Sequence, residues 1–466
     1  MLDGYAGVAR QLPRLAKLGI SAIELMPLGQ FPGERNWGYD GVLPYAPQNT
    51  YGSPEQLCTL IDQAHGEGLM VLVDVVYNHF GPDGNFLHQY ASPFFREDRQ
   101  TPWGAAIDFR RPQVREYFIQ NALMWLCDYR CDGLRLDAVH AIDQPDFLVE
   151  LARRVRAAVE PGRHVWLVLE NEHNQAGLLE QGFDAQWNDD GHNALHVLLT
   201  GETEGYYADY QQRPIDQLAR CLAEGFVFQG QANRHGTPRG EPSGHLAPSA
   251  FVLFLQNHDQ VGNRALGERL TRLCPPPALR AATGLLLLAP MIPLLFMGDD
   301  DGSCRPFLFF TDFHDQLADA VREGRRGEFA HFTAFADPEQ REHIPDPNAQ
   351  QTFEASRPQN REVIAGWHGL YQQLLDLRRR HVIPHLPGSH SLGAEVHGDK
   401  TLTARWRLGD GNTLRIDLNL AATAQAVQLP AASTRLFDSS DTRHPDSQLA
   451  AYSCVVSLLP PDQERP

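Results

Sequence analysis

What most constrains this chain is a repeated pattern: a short continuous apolar run, a polar cluster, then an amphipathic segment of helical period. The runs are Ala22–Met26, Met70–Val75, Gly133–Asp137, Val165–Leu169, Asp184–Trp187, Phe251–Leu255 and Leu294–Met297. Most lack alternation, as strands covered on both faces do, and such strands belong to parallel sheets flanked by helices. The segments Tyr5–Leu18, Pro54–Glu67, Pro112–Tyr129 and Pro145–Val159 predict covering helices. Sustained strand–helix alternation predicts an α/β fold, either a barrel or a doubly wound sheet. The polar clusters favour the barrel. NWGYDG, YNH, DAVH, EN, NDD and NHDQ each follow an apolar run. Polar residues gathered at C-terminal strand ends mark a (β/α)8 TIM-type barrel, whose active site is built from those ends.

Ala281–Gly298 is eighteen residues without a charge and imitates a membrane span. Pro290 and Pro293 break it, because Pro removes a helical hydrogen bond and clashes with the preceding turn. The expectation is a buried helix ending near Ala289 and then the strand Leu294–Met297. Asp337–Arg357, rich in Pro, Asn, Gln and charge, reads as a long surface loop. Arg361–Arg380 reads as the helix that closes the barrel. Beyond Pro384, alternation around Gly-Asp turns predicts a small antiparallel β domain. The expected division is 1–383 for the barrel and 384–466 for the β domain.

The formal net charge is −18, which argues against a general binder of nucleic acid or anionic membrane. Seven cysteines at irregular spacing make a disulfide framework an unattractive reading in so large a chain. The first twenty residues lack the apolar core of a secretory signal. A cytoplasmic protein is the expectation.

Four segments in order carry a resemblance. DVVYNH at Asp74–His79, DGLRLDAVH at Asp132–His140, LVLEN at Leu167–Asn171 and FLQNHDQ at Phe254–Gln260 each stand at a strand end. Together they resemble the four signature regions of the α-amylase superfamily, glycoside hydrolase family 13. More finely, Met26–Gly52, Phe183–Tyr210, Asn257–Leu270 and Phe307–Phe329 resemble maltooligosyltrehalose trehalohydrolases. The resemblance implies a hydrolase that cuts the α-1,4 linkage beside the trehalose end of a maltooligosyl chain, with no cofactor, and with a maltooligosyltrehalose synthase as pathway partner. Another α-glucan enzyme, debranching or branching, and a non-catalytic glucan-binding homologue are the alternatives.

Retaining glycoside cleavage needs one carboxylate to attack the sugar and one carboxyl to donate and then accept a proton. By resemblance, Asp137 is the nucleophile, Glu170 the acid/base and Asp259 the third carboxylate. Arg135 lies two residues before Asp137, so both side chains share a strand face, and a guanidinium there keeps the nucleophile ionised and aimed. The resemblance implies sugar contacts for His79 and His258, an aromatic platform for Tyr39, and for Asp74 a bracing role through Arg135. His140, Trp187, Asn188 and Asp189 are candidates for neighbouring subsites. His192 and His196, four apart, read as surface histidines of a helix near the sugar groove. No metal site is expected.

Two departures stand out. The relatives are expected to carry an N-terminal β-sandwich domain and a first barrel strand; here Met1 falls at the start of the first helix, only seven strands can be counted, and the barrel is expected to lack its first strand. Where a Glu-Glu-Trp arrangement is expected, the chain has Asp299-Asp300-Asp301, so an aromatic stacking surface is absent.

Overall fold

The computed structural model describes residues 4–101, 104–358, 363–431, 433–440 and 445–461. The chain divides into two compact units. One runs to Gln186 and takes in 309–328 and 345–357; the other holds 187–308, 329–344 and the chain from 358 onward.

In the first unit, strands β1 (Ala22–Leu25), β2 (Met70–Val75), β3 (Gly133–Leu136), β4 (Trp166–Leu169) and β5 (Ala185–Trp187, whose last residue opens the second unit) run parallel in chain order. One sheet face packs Val71, Val73, Leu134, Leu136, Leu167 and Leu169 into a core with Leu57, Leu60, Ile61, Phe118, Phe147 and Leu151 of the helices. Those helices are α1 (Pro54–Gly66), α2 (Pro112–Leu123) and α3 (Pro145–Ala158), each opening on the proline expected of a first helical turn. Ser53 and Gln56 close a reciprocal capping box on α1.

Two predicted helices of the first unit differ from expectation. Tyr5–Leu18 is two helices, Gly4–Ala9 and Leu12–Leu18, because Pro13 in the first turn of the second cannot continue an α-helical ladder. Beyond Leu123 the chain winds as a π-helix, Met124–Asp128.

In the second unit, the Asn188 N–H beyond β5 donates to the Val252 carbonyl of β6 (Phe251–Phe254) at 2.9 Å. β6 pairs in parallel with β7 (Ile292–Leu294). β7 begins two residues earlier than expected and ends at Leu294. Phe296 N–H donates to the Asp299 carboxylate at 3.0 Å, which starts a turn where the strand was expected to continue. The flanking helices include α4 (Asp189–Thr200), α5 (Pro214–Glu224) and α6 (Pro276–Leu288). The uncharged stretch is thus a buried helix end and a short strand. Among the described residues no helix is long and apolar enough to cross a membrane.

Helix α7 (Trp367–His381) starts later than expected, since Gly366 at φ 79° precedes it; Arg361 and Glu362 lie outside the described residues. Its Arg378 is buried and donates to the carbonyls of Leu287, Ala289 and Met291 at 3.1, 2.5 and 2.6 Å, clamping the end of α6 to β7. The predicted loop Asp337–Arg357 contains two helices, Pro338–Glu342 and Gln350–Ser356, the first capped by the Asp337 carboxylate on Glu339 N–H. Polar composition hid them, because short helices need little apolar surface.

The C-terminal sheet joins β8 (His390–Gly398), β9 (Thr401–Arg407), β10 (Thr413–Asn419), β11 (Thr434–Asp438) and β12 (Ser453–Leu459) antiparallel in the order 8-9-10-12-11. Trp406 is fully buried and its indole N–H donates to the Leu222 carbonyl of α5 at 3.2 Å. All seven cysteines are free. Within the first unit β1 pairs with β2 alone, and within the second β7 pairs with β6 alone, among the described residues.

Candidate active site

Strand register explains which side chains meet. In a parallel ladder, partners share a face and successive residues alternate. Glu24 pairs with Leu72, Asp74 with Arg135, and Arg135 with Val168. Glu24, Asp74 and Arg135 therefore share the face opposite the helix-covered core. Asp137 and Glu170 lie two residues beyond Arg135 and Val168, and their N–H groups carry the ladder onward to the Val75 and Leu136 carbonyls, at 3.0 Å each. The expected shared face of Arg135 and Asp137 is observed.

Arg135 is fully buried. Its Nη1 donates to Asp74 Oδ2 at 2.8 Å and to Asp137 Oδ1 at 2.7 Å; its Nη2 lies 3.4 Å from Glu170 Oε2. Burial works against the Asp137 carboxylate, but the Arg135 charge, with His79 and the Asn78 amide, outweighs it and holds the pKa below the ordinary value. Asp74 differs: burial pushes its pKa well up, Arg135 pulls it down, and Asp137 and Glu24 push it up again. Ala138, directly after Asp137, adopts φ 40°, which is unusual for a residue with a Cβ. That turn aims its N–H at Glu170 Oε2, 2.5 Å away, so strained backbone joins the two carboxyl-bearing strand ends.

The Tyr39 hydroxyl donates to Asp74 Oδ2. Its loop depends on Gly38 at φ 104°, where a Cβ would stand 2.2 Å from the Pro27 carbonyl. His79 is buried; its Nε2 faces the Tyr39 carbonyl at 2.9 Å and its Nδ1 faces Asn78 Oδ1. Burial lowers the His79 pKa against the pull of Asp137 and Asp40. Asn78 donates to both the carbonyl and the carboxylate of Asp137, at 2.8 Å each. His140 is partly exposed, and its Nδ1 accepts from Glu172 N–H at 3.2 Å.

In the second unit, Asn257 caps the helix His258–Gly262 by accepting from Gln260 N–H at 2.8 Å. The cap fixes Asp259, whose carboxylate is 37% exposed and takes a bond from Asn263 at 3.3 Å. The His258 Nε2 lies 3.4 Å from Asp259 Oδ2, and its ring meets the edge of buried Trp187. Asp189 accepts from Gln260 at 3.4 Å. Asn188 is buried; its amide donates to the Gly225 carbonyl at 2.8 Å and to Cys221 Sγ, and its oxygen caps α4 on Gly191 N–H. The structure commits that side chain to packing.

The histidine expectation is corrected. His192 and His196 are buried, not at the helix surface. His192 Nδ1 bonds the Leu255 carbonyl at 2.9 Å, and His196 stacks on Tyr207 and bonds Glu202 at 2.7 Å. Burial lowers both imidazole pKa values, most strongly that of His192. A hydrogen-bonded, stacked imidazole is well accommodated in a core, and spacing alone does not reveal that.

Asp299 is buried, accepts from Gln256 at 2.8 Å, and burial raises its pKa to about 7 against the charge of Arg269. Asp300, Asp301 and His368 each bring a ligand atom within 4.8 Å of the others, and an ion pair of 3.3 Å between His368 and Asp301 accounts for the approach.

Two residues escaped the sequence reading: Asn78, named only as part of a motif, and Glu24. Each left a signal. Asn78 precedes His79 at a strand end, and Glu24 is the one charged residue in the apolar run AIELM.

The fold and its strand-end carboxylates define an α-amylase-type catalytic domain. The family model "Alpha amylase, catalytic domain" matches residues 3–103, and that of a "domain of unknown function (DUF3459)" matches 389–456. A malto-oligosyltrehalose trehalohydrolase of Deinococcus radiodurans is 40% identical over 440 residues, covering 90% of this chain and 72% of the relative. One from a Rhizobium species is 39% identical over 443 residues, with 90% and 72% covered. A crystal structure of a candidate alpha amylase from Salmonella typhimurium superposes with a TM-score of 0.89 at 41% identity, covering 98% of this chain and 79% of that one. The chain belongs to the malto-oligosyltrehalose trehalohydrolase family.

Proposed function

We propose that this chain is a retaining glycoside hydrolase that cuts the α-1,4 linkage beside the trehalose end of maltooligosyltrehalose, releasing trehalose and a shortened maltooligosaccharide. The observation that carries the reading is the contact of one buried guanidinium with both Asp137 and Glu170 at adjoining strand ends, in a chain of this family. Asp137 attacks the anomeric carbon, and the glycosidic bond breaks as Glu170 gives its proton to the departing trehalose oxygen. Glu170, now a carboxylate, takes a proton from water, which attacks the glycosyl ester and frees Asp137. Arg135 and Asn78 keep Asp137 ionised and oriented, so the attack needs no prior loss of a proton. Asp259 supports developing positive charge and holds hydroxyls. His79, His258 and Tyr39 contact the sugar being cleaved; Asp74 braces Arg135. His140, Trp187 and Asp189 line flanking subsites. The enzyme is proposed to act in the cytoplasm on the product of a maltooligosyltrehalose synthase.

The test is product analysis. Incubated with maltooligosyltrehalose, linear maltooligosaccharide and a branched α-glucan in parallel, the chain should release trehalose from the first far faster than it shortens the second or debranches the third. Preferred action on the branched glucan would replace this reading.

A further inference from the structure

The strand face that carries Asp137 holds more acid than base. Glu24, Asp74, Asp137 and Glu170 all stand on it, and opposite them are Arg135 and, at most, a charged His79. Glu24 sits on β1, in register with Leu72, so it shares its face with Asp74 two residues further along β2. Its charge couples to Arg135 and to Asp74, the ionisable groups that face it from the neighbouring β3 and β2. Asp74 Oδ2 is occupied by Arg135 and Tyr39, whereas Asp74 Oδ1 is buried without a hydrogen-bond partner among the described residues. A buried carboxylate oxygen left unbonded is costly, and so is surplus negative charge away from water. One proton held by either of the two carboxyl groups lowers that surplus charge.

We propose that Glu24 is a positioning residue: with Asp74 it holds one proton beneath the Arg135–Asp137 pair, so that the guanidinium's charge is directed to Asp137. The proposal rests on the reading of Asp137 as nucleophile. Burial raises the Glu24 pKa to about 7 against the pull of Arg135, which puts loss of the shared proton within reach of ordinary buffers. The two groups titrate as a pair, so the midpoint belongs to both. Below it Arg135 faces one fewer negative charge; above it a further carboxylate competes with Asp137 for the same guanidinium.

Two measurements on the full chain test this. The first is infrared difference titration, which follows the carbonyl stretch of a protonated carboxyl without requiring turnover. Asp299 also titrates near 7, so the expected band is one that vanishes near pH 7 in the wild type, persists in Asp299→Asn, and is displaced or missing in Glu24→Gln. Absence of the band at pH 6, or an unchanged band in Glu24→Gln, overturns the shared proton. The second is the pH profile of kcat/KM on an aryl maltooligoside with a good leaving group, whose departure needs no proton from Glu170. Between pH 6 and 8 the wild type should lose about threefold or more while Glu24→Gln stays level. Superposed profiles overturn the positioning role. A wild-type chain without glycosidase activity would refute the functional reading and leave the infrared result to decide the proton.

Discussion

Two buried arginines in this molecule have opposite surroundings. Arg378 has no carboxylate partner among the described residues; three backbone carbonyls, at the end of α6 and in the link that leads to β7, take its donors, and burial lowers its pKa to about 10. Arg135 contacts three carboxylates at three strand ends, and their charges together overcome burial and raise its pKa well above the ordinary value. Carbonyls are fixed dipoles that neither gain nor lose protons, so Arg378 fastens elements. Carboxylates around Arg135 can gain and lose protons: its charge holds the Asp137 pKa down, while burial pushes that of Asp74 up. The first arrangement makes architecture, the second chemistry.

Substitutions sharpen that contrast. Asp137→Asn removes the proposed nucleophile and keeps its shape; turnover of maltooligosyltrehalose should fall by roughly 10⁴–10⁶-fold while thermal unfolding changes little, as single losses from a cooperating catalytic set do. Glu170→Gln should cost about 10²–10⁴-fold on the natural glucoside, with a smaller loss in the first step on an aryl glycoside whose leaving group needs no proton. Equal losses on both substrates would remove Glu170 as the acid.

Arg378→Met should act in reverse. It leaves the carbonyls of Leu287, Ala289 and Met291 short of a donor in a buried place, at about 1–3 kcal/mol for each that water cannot reach. A loss near 3 kcal/mol in denaturant unfolding, with kcat preserved in the folded fraction, is expected. A drop in kcat with unchanged stability would erase the distinction between the two arginines.

Much of this was legible beforehand. Continuous apolar runs located six of the seven parallel strands to within a residue or so, because two-sided burial leaves no room for alternation. Prolines marked helix starts, because a first-turn residue needs no N–H donor. The three-residue frame from Arg135 to Asp137 put both side chains on one face, and the structure agrees. Less legible was anything decided by a distant partner. β7 ends early because Asp299 captures Phe296 N–H. His192 and His196 are buried because Leu255 and Glu202 supply acceptors and Tyr207 a stacking face. Glu24 is coupled to neighbours 50 and 111 positions away, Asp74 and Arg135, which no local pattern connects.

A smaller effect separates the second unit's ion cluster from the first. Glu202, bonded to His196 and to Arg264, has its pKa drawn down to about 2 from 4.5, since those partners outweigh partial burial. A carboxyl with a depressed folded-state pKa adds stability above its unfolded value and loses it as pH falls through the folded one. Glu202→Gln should therefore destabilise at pH 7 by only about 0.5 kcal/mol, because the side chain is over one-third exposed and solvent screens it. The difference should shrink as pH falls from 4.5 to about 2 and vanish below. A constant difference across that window would assign the effect to packing.

The central claim is that Asp137 forms a covalent bond to the sugar. The direct measurement is mass spectrometry of the protein after reaction with a fluorinated maltooligosyl donor that forms the glycosyl ester quickly and hydrolyses it slowly. One added glycosyl group, mapped by digestion to the peptide containing Asp137 and missing from Asp137→Asn, is the predicted result. No adduct on an enzyme that turns over maltooligosyltrehalose, or an adduct on another residue, would contradict it.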